Sequence, residues 1–216
     1  RSPSRGLGDV YKRQVAMLLK SIVEKINTIL GRLSPARRIF LSFALVILLG
    51  SLLLSLPFVQ SPTSHAGYFD HLFTAVSMVC VTGLFTLPVA STYNVWGQLI
   101  CMVLIQIGGL GLMTFIGVFY IQSKQKLSLR GRETILESFS FEETQSLKDF
   151  LRSIFLTTFL VEGLGAFLLS FRFVPEFGLG RGILTSIFLA ISAFCNAGFD
   201  NFGSTSLVAF QTDPLI

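Results

Sequence analysis

His71–Phe85 reads HLFTAVSMVCVTGLF, and Ser186–Asp200 reads SIFLAISAFCNAGFD. Each is a short apolar stretch closed by Cys-x-x-Gly, and the two lie 115 positions apart. Extending the offset outward without a gap sets Arg37–Leu84 on Arg152–Phe199. In that alignment 19 of 48 pairs are identical, where roughly 4 would match by chance at this composition. Phe40/Phe155, Gly50/Gly165, Ser55/Ser170, Phe58/Phe173, Gly67/Gly182, Phe73/Phe188, Ser77/Ser192, Cys80/Cys195 and Gly83/Gly198 are among them. Self-similarity at a fixed offset means one structural unit used more than once. In a membrane protein such repeats usually surround a transport path.

The solvent for these units is lipid. Hydrophobic residues make up 51% of 216 residues, charged residues 13%, and mean hydropathy is +0.69. A soluble domain carries about 25% charged residues. Three segments are long enough to cross about 30 Å of hydrocarbon. They are Ile39–Val59 and Val95–Ile121, both without charge, and Ser153–Phe171, whose single charge is Glu162. The stretches Gly67–Met78 and Gly182–Phe194 are apolar but too short, since 12 residues of helix reach only about 18 Å. The chain is therefore expected to dip in and return on the same side. Each unit then reads as long helix, short re-entrant helix, glycine-containing loop, long helix.

Net charge is +5, and its placement orients the chain. Lys20, Lys25, Arg32, Arg37 and Arg38 precede the first span. Lys124, Lys126, Arg130, Arg132, Lys148 and Arg152 lie between the second and third, while Phe58–Asn94 holds no Lys or Arg. Basic residues mark the cytoplasmic side, so the N-terminus is expected inside. Because each cluster flanks a span, nucleic acid is not an expected partner.

Residues 1–14, RSPSRGLGDVYKRQ, are polar, rich in Gly and Arg, and resemble translated adapter sequence; they read as a non-native leader. Residues 15–35 read as an amphipathic interfacial N-terminus, with Ile22, Ile26, Ile29 and Leu33 at helical spacing. Ser34 is a candidate N-cap with Pro35 at the first helical position. Residues 36–121 form the first repeat and 122–150 a cytoplasmic loop, either a solvated face or a docking surface for a cytosolic partner. Residues 151–216 form a second repeat that ends before its last helix.

Chemistry points to the two loops. A path for dehydrated cations needs oxygens aimed at its axis, and backbone carbonyls supply them without charge. Glycine is needed where the peptide must take φ > 0 to keep successive carbonyls turned inward. Cys80-Val81-Thr82-Gly83 and Cys195-Asn196-Ala197-Gly198 each place one glycine at the matching position. The alternative, a glycine that simply caps a helix, explains one loop well but two at one offset poorly. The short helix before each loop aims its partly negative C-terminal end at the path, which favours cations.

Other residues carry blander expectations. Gly108, Gly109, Gly111 and Gly117 of the second span are helix-packing residues. Cys80, Cys101 and Cys195 are too few and scattered for a disulfide framework and read as buried free thiols in apolar surroundings. His65 and His71 read as outer-loop and interface residues. Glu162, an intramembrane carboxylate whose repeat counterpart is Ile47, either bonds a neighbouring helix or shapes the ion path electrostatically.

At LSPARR (Leu33–Arg38), VCVTGL (Val79–Leu84), GQLICMVLIQIGGLGLMTF (Gly97–Phe115) and SAFCNAGFD (Ser192–Asp200) the chain resembles the membrane subunit of the Ktr/Trk potassium-uptake family, closest to the Ktr type. The resemblance implies an all-α membrane protein of four helix–pore-helix–filter loop–helix repeats around one pseudo-fourfold pore, of which this chain holds about one and a half. It implies filter residues Val81, Thr82 and Gly83, then Asn196, Ala197 and Gly198, offering backbone carbonyls to potassium, with Cys80 and Cys195 at the inner edge. It also implies a homodimer of full-length subunits on a cytosolic nucleotide-binding regulatory ring, in a bacterial plasma membrane, with no cofactor in this chain. The loops lack the fuller TVGYG pattern of tetrameric potassium channels. A non-conducting membrane scaffold is the competing expectation. An enzyme is not expected, since no nucleophile–base pair, carboxylate dyad or metal cluster converges in the spans.

Overall fold

The computed structural model describes residues 34–111 and 144–216. The leader, the interfacial segment, the second span beyond Gly111 and the inner loop up to residue 143 lie outside the described residues. Among the described residues the chain is helical, with one isolated bridge between Gln60 and Tyr93 and no strand.

Helix α1, Pro35–Leu54, starts where expected: Ser34 is extended and proline occupies the first turn. The Ser34 side chain makes no capping bond. The helix ends five residues before Val59, the expected limit of the first span. The cause is Pro57: its ring pushes the preceding Leu56 into extended backbone (φ −67°, ψ 133°). The chain continues as one 3-10 turn, Pro57–Val59.

Helix α2, Tyr68–Val79, has the length of the expected Gly67–Met78 stretch, 12 residues, set one position later with Gly67 as its N-cap. Its entry is fixed by the Asp70 carboxylate, which accepts the Gly67 N–H at 2.9 Å. After the first loop comes a single turn, α3, Val89–Thr92, and then α4, Val95–Leu110. Asn94 joins the segment before α2 to the start of α4. Its Oδ1 accepts from the Trp96 and Gly97 N–H groups, and its Nδ2 donates to the carbonyls of Phe58 (2.6 Å) and Gln60 (3.3 Å). The segment before α2 and the segment after the first loop therefore lie side by side.

Helix α5, Thr144–Phe177, is followed almost at once by α6, Leu179–Phe194. Only Gly178 separates them, at φ 79°, a left-handed conformation that a side chain would resist. This direct turn extends α6 to 16 residues, three positions earlier than the Gly182 start expected from the repeat.

Helix α5 packs on α6, α1 on α2, and α4 against α1, α2 and α6. The shared core holds Leu54, Met78, Cys101, Leu104, Ile105, Phe188 and Ala197. A second cluster, Phe173, Leu189 and Phe210 with Phe177 and Phe202 against it, fastens the segment after the second loop to α5. Arg172 reinforces it, with its Nε donating to Asp213 at 2.6 Å and its guanidinium 5.1 Å from the Phe210 ring centre.

Large apolar side chains cover the outside of the molecule as well as filling its core. Phe40, Leu48, Leu52, Leu156, Phe159, Leu160, Phe167 and Phe171 face outward, while Ser51, Gln106, Thr158, Glu162 and Ser192 are buried. A continuous outward apolar surface on long helices is what lipid stabilises and water does not. One helix among the described residues, Asp149–Phe177, has the length and composition to cross a membrane, with only 11% of its apolar window buried. Ile39–Leu54 and Val95–Leu110 are shorter apolar helices.

Candidate ion-binding loops

The loops after α2 and α6 have the same backbone. Val81 and Asn196 take φ 55° and 54°, and Gly83 and Gly198 take 71° and 69°. Each bond donated by a backbone N–H of the first loop recurs 115 positions on. Cys80 N–H donates to Val76 O (2.8 Å), as Cys195 N–H does to Ile191 O (2.9 Å). Thr82 N–H donates to Ser77 O (2.9 Å), as Ala197 N–H does to Ser192 O (2.7 Å). The Ser77 hydroxyl accepts the Leu84 N–H at 3.0 Å, and the Ser192 hydroxyl accepts the Phe199 N–H at 2.9 Å.

Sequence identity within the loops is limited to the cysteine and the glycine, so those two and the serine six positions before the glycine specify the shape. The serines were visible as an identical pair but had no assigned role; their constant distance from the glycine was the available signal. Val81 shows the cost of the conformation. A β-branched residue in the left-handed region carries about 1–3 kcal/mol of strain, held by surrounding structure.

The loops converge at their glycines. A Cβ on Gly83 would stand 2.9 Å from the Ala197 carbonyl oxygen and 3.3 Å from Gly198 Cα. Of the expected site residues, Cys80, Thr82, Asn196 and Gly198 are exposed, Val81 and Gly83 are half-buried, and Cys195 and Ala197 are buried. The Thr82 hydroxyl turns back to Ser77 Oγ at 2.7 Å.

Helix α4 passes beneath both loops on two adjacent glycines. A Cβ on Gly108 would lie 2.5 Å from the Val79 carbonyl oxygen, and one on Gly109 would lie 2.5 Å from Cys195 Cβ. One turn earlier on the same helix, Gln106 Nε2 donates to both carboxylate oxygens of Glu162, at 2.8 and 3.0 Å. Glu162 thus bonds a neighbouring helix, the first of the two expectations for it. Cys195 Sγ lies 3.9 Å from Gln106 Oε1 and 4.0 Å from Glu162 Oε1.

Three expectations need correction. Cys80 is exposed rather than buried, at the C-cap of α2. Cys195 is buried, but beside a carboxylate and an amide rather than in purely apolar surroundings. His71 is a core residue, not an interfacial one: it is 1% exposed and its Nδ1 pairs with Tyr93 Oη at 2.9 Å. The return of the chain through Tyr93 covers it, a long-range contact with no local sequence signature.

Residues 39–216 match the family model described as TrkH, a cation transport protein. The chain belongs to this family. Both loops, α4 and Glu162 fall inside the matched region. The potassium/sodium uptake protein NtpJ of Enterococcus hirae is 43% identical over 182 residues, 84% of this chain and 40% of the relative. The Ktr system potassium uptake protein B of Bacillus subtilis is 36% identical, covering 86% of this chain and 41% of the relative. Its namesake in Vibrio alginolyticus is 38% identical, covering 83% and 39%. The chain therefore spans about two-fifths of the length of these curated relatives. They are named as uptake proteins, not enzymes, and the family places the chain in a membrane.

Proposed function

We propose that this chain contributes two of the strands lining a potassium uptake path across the cell membrane, of the Ktr type. The carrying observation is the pair of superimposable loops, each with a glycine at φ near +70° and a non-glycine at φ near +55°. Alternating left-handed residues keep carbonyls of one extended segment turned to one side, the arrangement a dehydrated cation requires. In this reading α2 and α6 are pore helices, and the carbonyls of Val81, Thr82, Gly83, Asn196, Ala197 and Gly198 bind the ion. Cys80 and Cys195 mark the inner edge. The ends of α2 and α6 add a partial negative charge behind each loop.

The reading extends to the assembly. Four repeats enclose one pore, the full-length subunit is a homodimer, and a cytosolic nucleotide-binding ring regulates it. The protein is multi-pass in the plasma membrane with its N-terminus inside, following the basic flanks. No organic cofactor enters; potassium is the transported ion.

The test is rubidium uptake by the full-length gene product in a bacterial strain lacking its own potassium uptake. Gly83→Asp and Gly198→Asp each abolish uptake while membrane insertion, followed by immunoblot of the membrane fraction, is unchanged. Normal uptake in both variants refutes the proposal.

A further inference from the structure

Glu162 has no place in the duplicated architecture, since its repeat counterpart is the apolar Ile47, which packs against the main core. It is nevertheless 6% exposed and inside a helix facing lipid. Both of its oxygens are held by one amide group, that of Gln106 on α4. The same two side chains meet the Cys195 thiol, at the start of the second loop. Gly109, on the same helix as Gln106, also lies against Cys195 and leaves no room for it to shift towards α4. Cys195 is thereby held between α4 and a polar bracket joining α4 to α5. Among the described residues the first loop has no such bracket: helix α4 meets it through Gly108 at the Met78 and Val79 carbonyls.

We infer that Glu162 is a positioning residue for the second loop, acting through Gln106 and Cys195 to set where the Asn196–Gly198 carbonyls stand. The two loops share a conformation but not an anchor, and ion preference depends on the second loop's anchor. This rests on the uptake reading above. A buried polar pair is worth keeping only when both members are satisfied; loss of one leaves the other unpaired in a medium that cannot solvate it. The pair therefore acts as a unit, and its effect reaches the ion through loop geometry rather than through charge.

The experiment measures half-saturation for rubidium, inhibition by sodium and maximal rate per inserted protein, in the full-length gene product. Glu162→Ala and Gln106→Ala are each expected to raise half-saturation about tenfold and sharpen sodium inhibition, with maximal rate within about twofold. Their combination is no worse than the worse single change, as for partners in one interaction. Glu162→Gln, which keeps an acceptor for the Gln106 amide without the charge, stays within about twofold of the parent. The paired change Glu162→Leu with Gln106→Leu removes both strong polar partners together and leaves only the weak Cys195 thiol donor without an acceptor, so it guards against misfolding of the single variants, and it too shifts half-saturation. Unchanged half-saturation and sodium inhibition in the paired leucine variant overturn the inference. Damage by Glu162→Gln equal to that of Glu162→Ala also overturns it, because charge would then act on the ion directly. Absence of rubidium uptake in the parent, or full uptake in Gly198→Asp, defeats the uptake reading instead.

Discussion

Replacing Gly108 by alanine adds one methyl group at the tightest helix crossing under the first loop. The new Cβ would lie 2.5 Å from the Val79 carbonyl oxygen, 2.7 Å from the Met78 carbonyl oxygen and 2.9 Å from the Val79 carbonyl carbon. All three are backbone atoms of the last turn of α2, so no side chain can swing away. Helix α4 must retreat by about 0.5 Å to relieve the nearest contact, and overpacking of this kind costs about 1–3 kcal/mol. Alanine returns up to about 1 kcal/mol through helix propensity, less near a helix end. The expected net is a loss of about 1–2 kcal/mol. Gly163→Ala in α5 is the internal control: nothing lies within 4 Å of its Cβ position, so only the propensity gain applies. The assay is thermal unfolding of the detergent-solubilised full-length gene product, followed by loss of its monodisperse chromatographic peak. The expected order of melting temperature is Gly163→Ala at or above the parent and Gly108→Ala below both. A Gly108→Ala protein as stable as the Gly163→Ala protein would show that α4 does not seat on the α2 carbonyls, and would refute the reasoning.

Ser192→Ala strips the acceptor from the buried Phe199 N–H, with an expected destabilisation of about 1–3 kcal/mol. Hydrogen exchange at the Phe199 amide should accelerate in that variant and stay slow in Ser192→Thr, which keeps the hydroxyl; equal exchange in both would contradict the assignment. Tyr93→Phe leaves the His71 ring nitrogen without its 2.9 Å partner inside the core, and a drop of about 1–2 kcal/mol in unfolding free energy is expected. Unchanged unfolding of the Tyr93→Phe protein would mean that His71 finds another partner.

The sequence carried the membrane character, the two-fold use of one unit and the position of both loops. Apolar length, the absence of charge and the matching glycines are local properties, and the structure keeps them: α2 has its 12 residues and both loops turn at Gly83 and Gly198. Local rules also placed Ser34 and Pro35 at the start of α1. They did not anticipate the stop at Leu54, although Pro57 held the signal, because apolar content alone extends a span until a polar residue appears.

By itself, then, the sequence determined which segments are apolar and where each loop must bend, because hydrophobic transfer and backbone sterics act residue by residue. Tertiary structure alone decided what lies against those loops. Gly108 and Gly109 differ by one position in the chain, yet one faces Val79 and the other Cys195, 116 residues further along. His71 is buried because Tyr93 returns over it, and Glu162 is held because α4 brings Gln106 opposite. Those pairings depend on how helices cross. Crossing is set by contacts summed over whole helix faces, and no single stretch of sequence contains them.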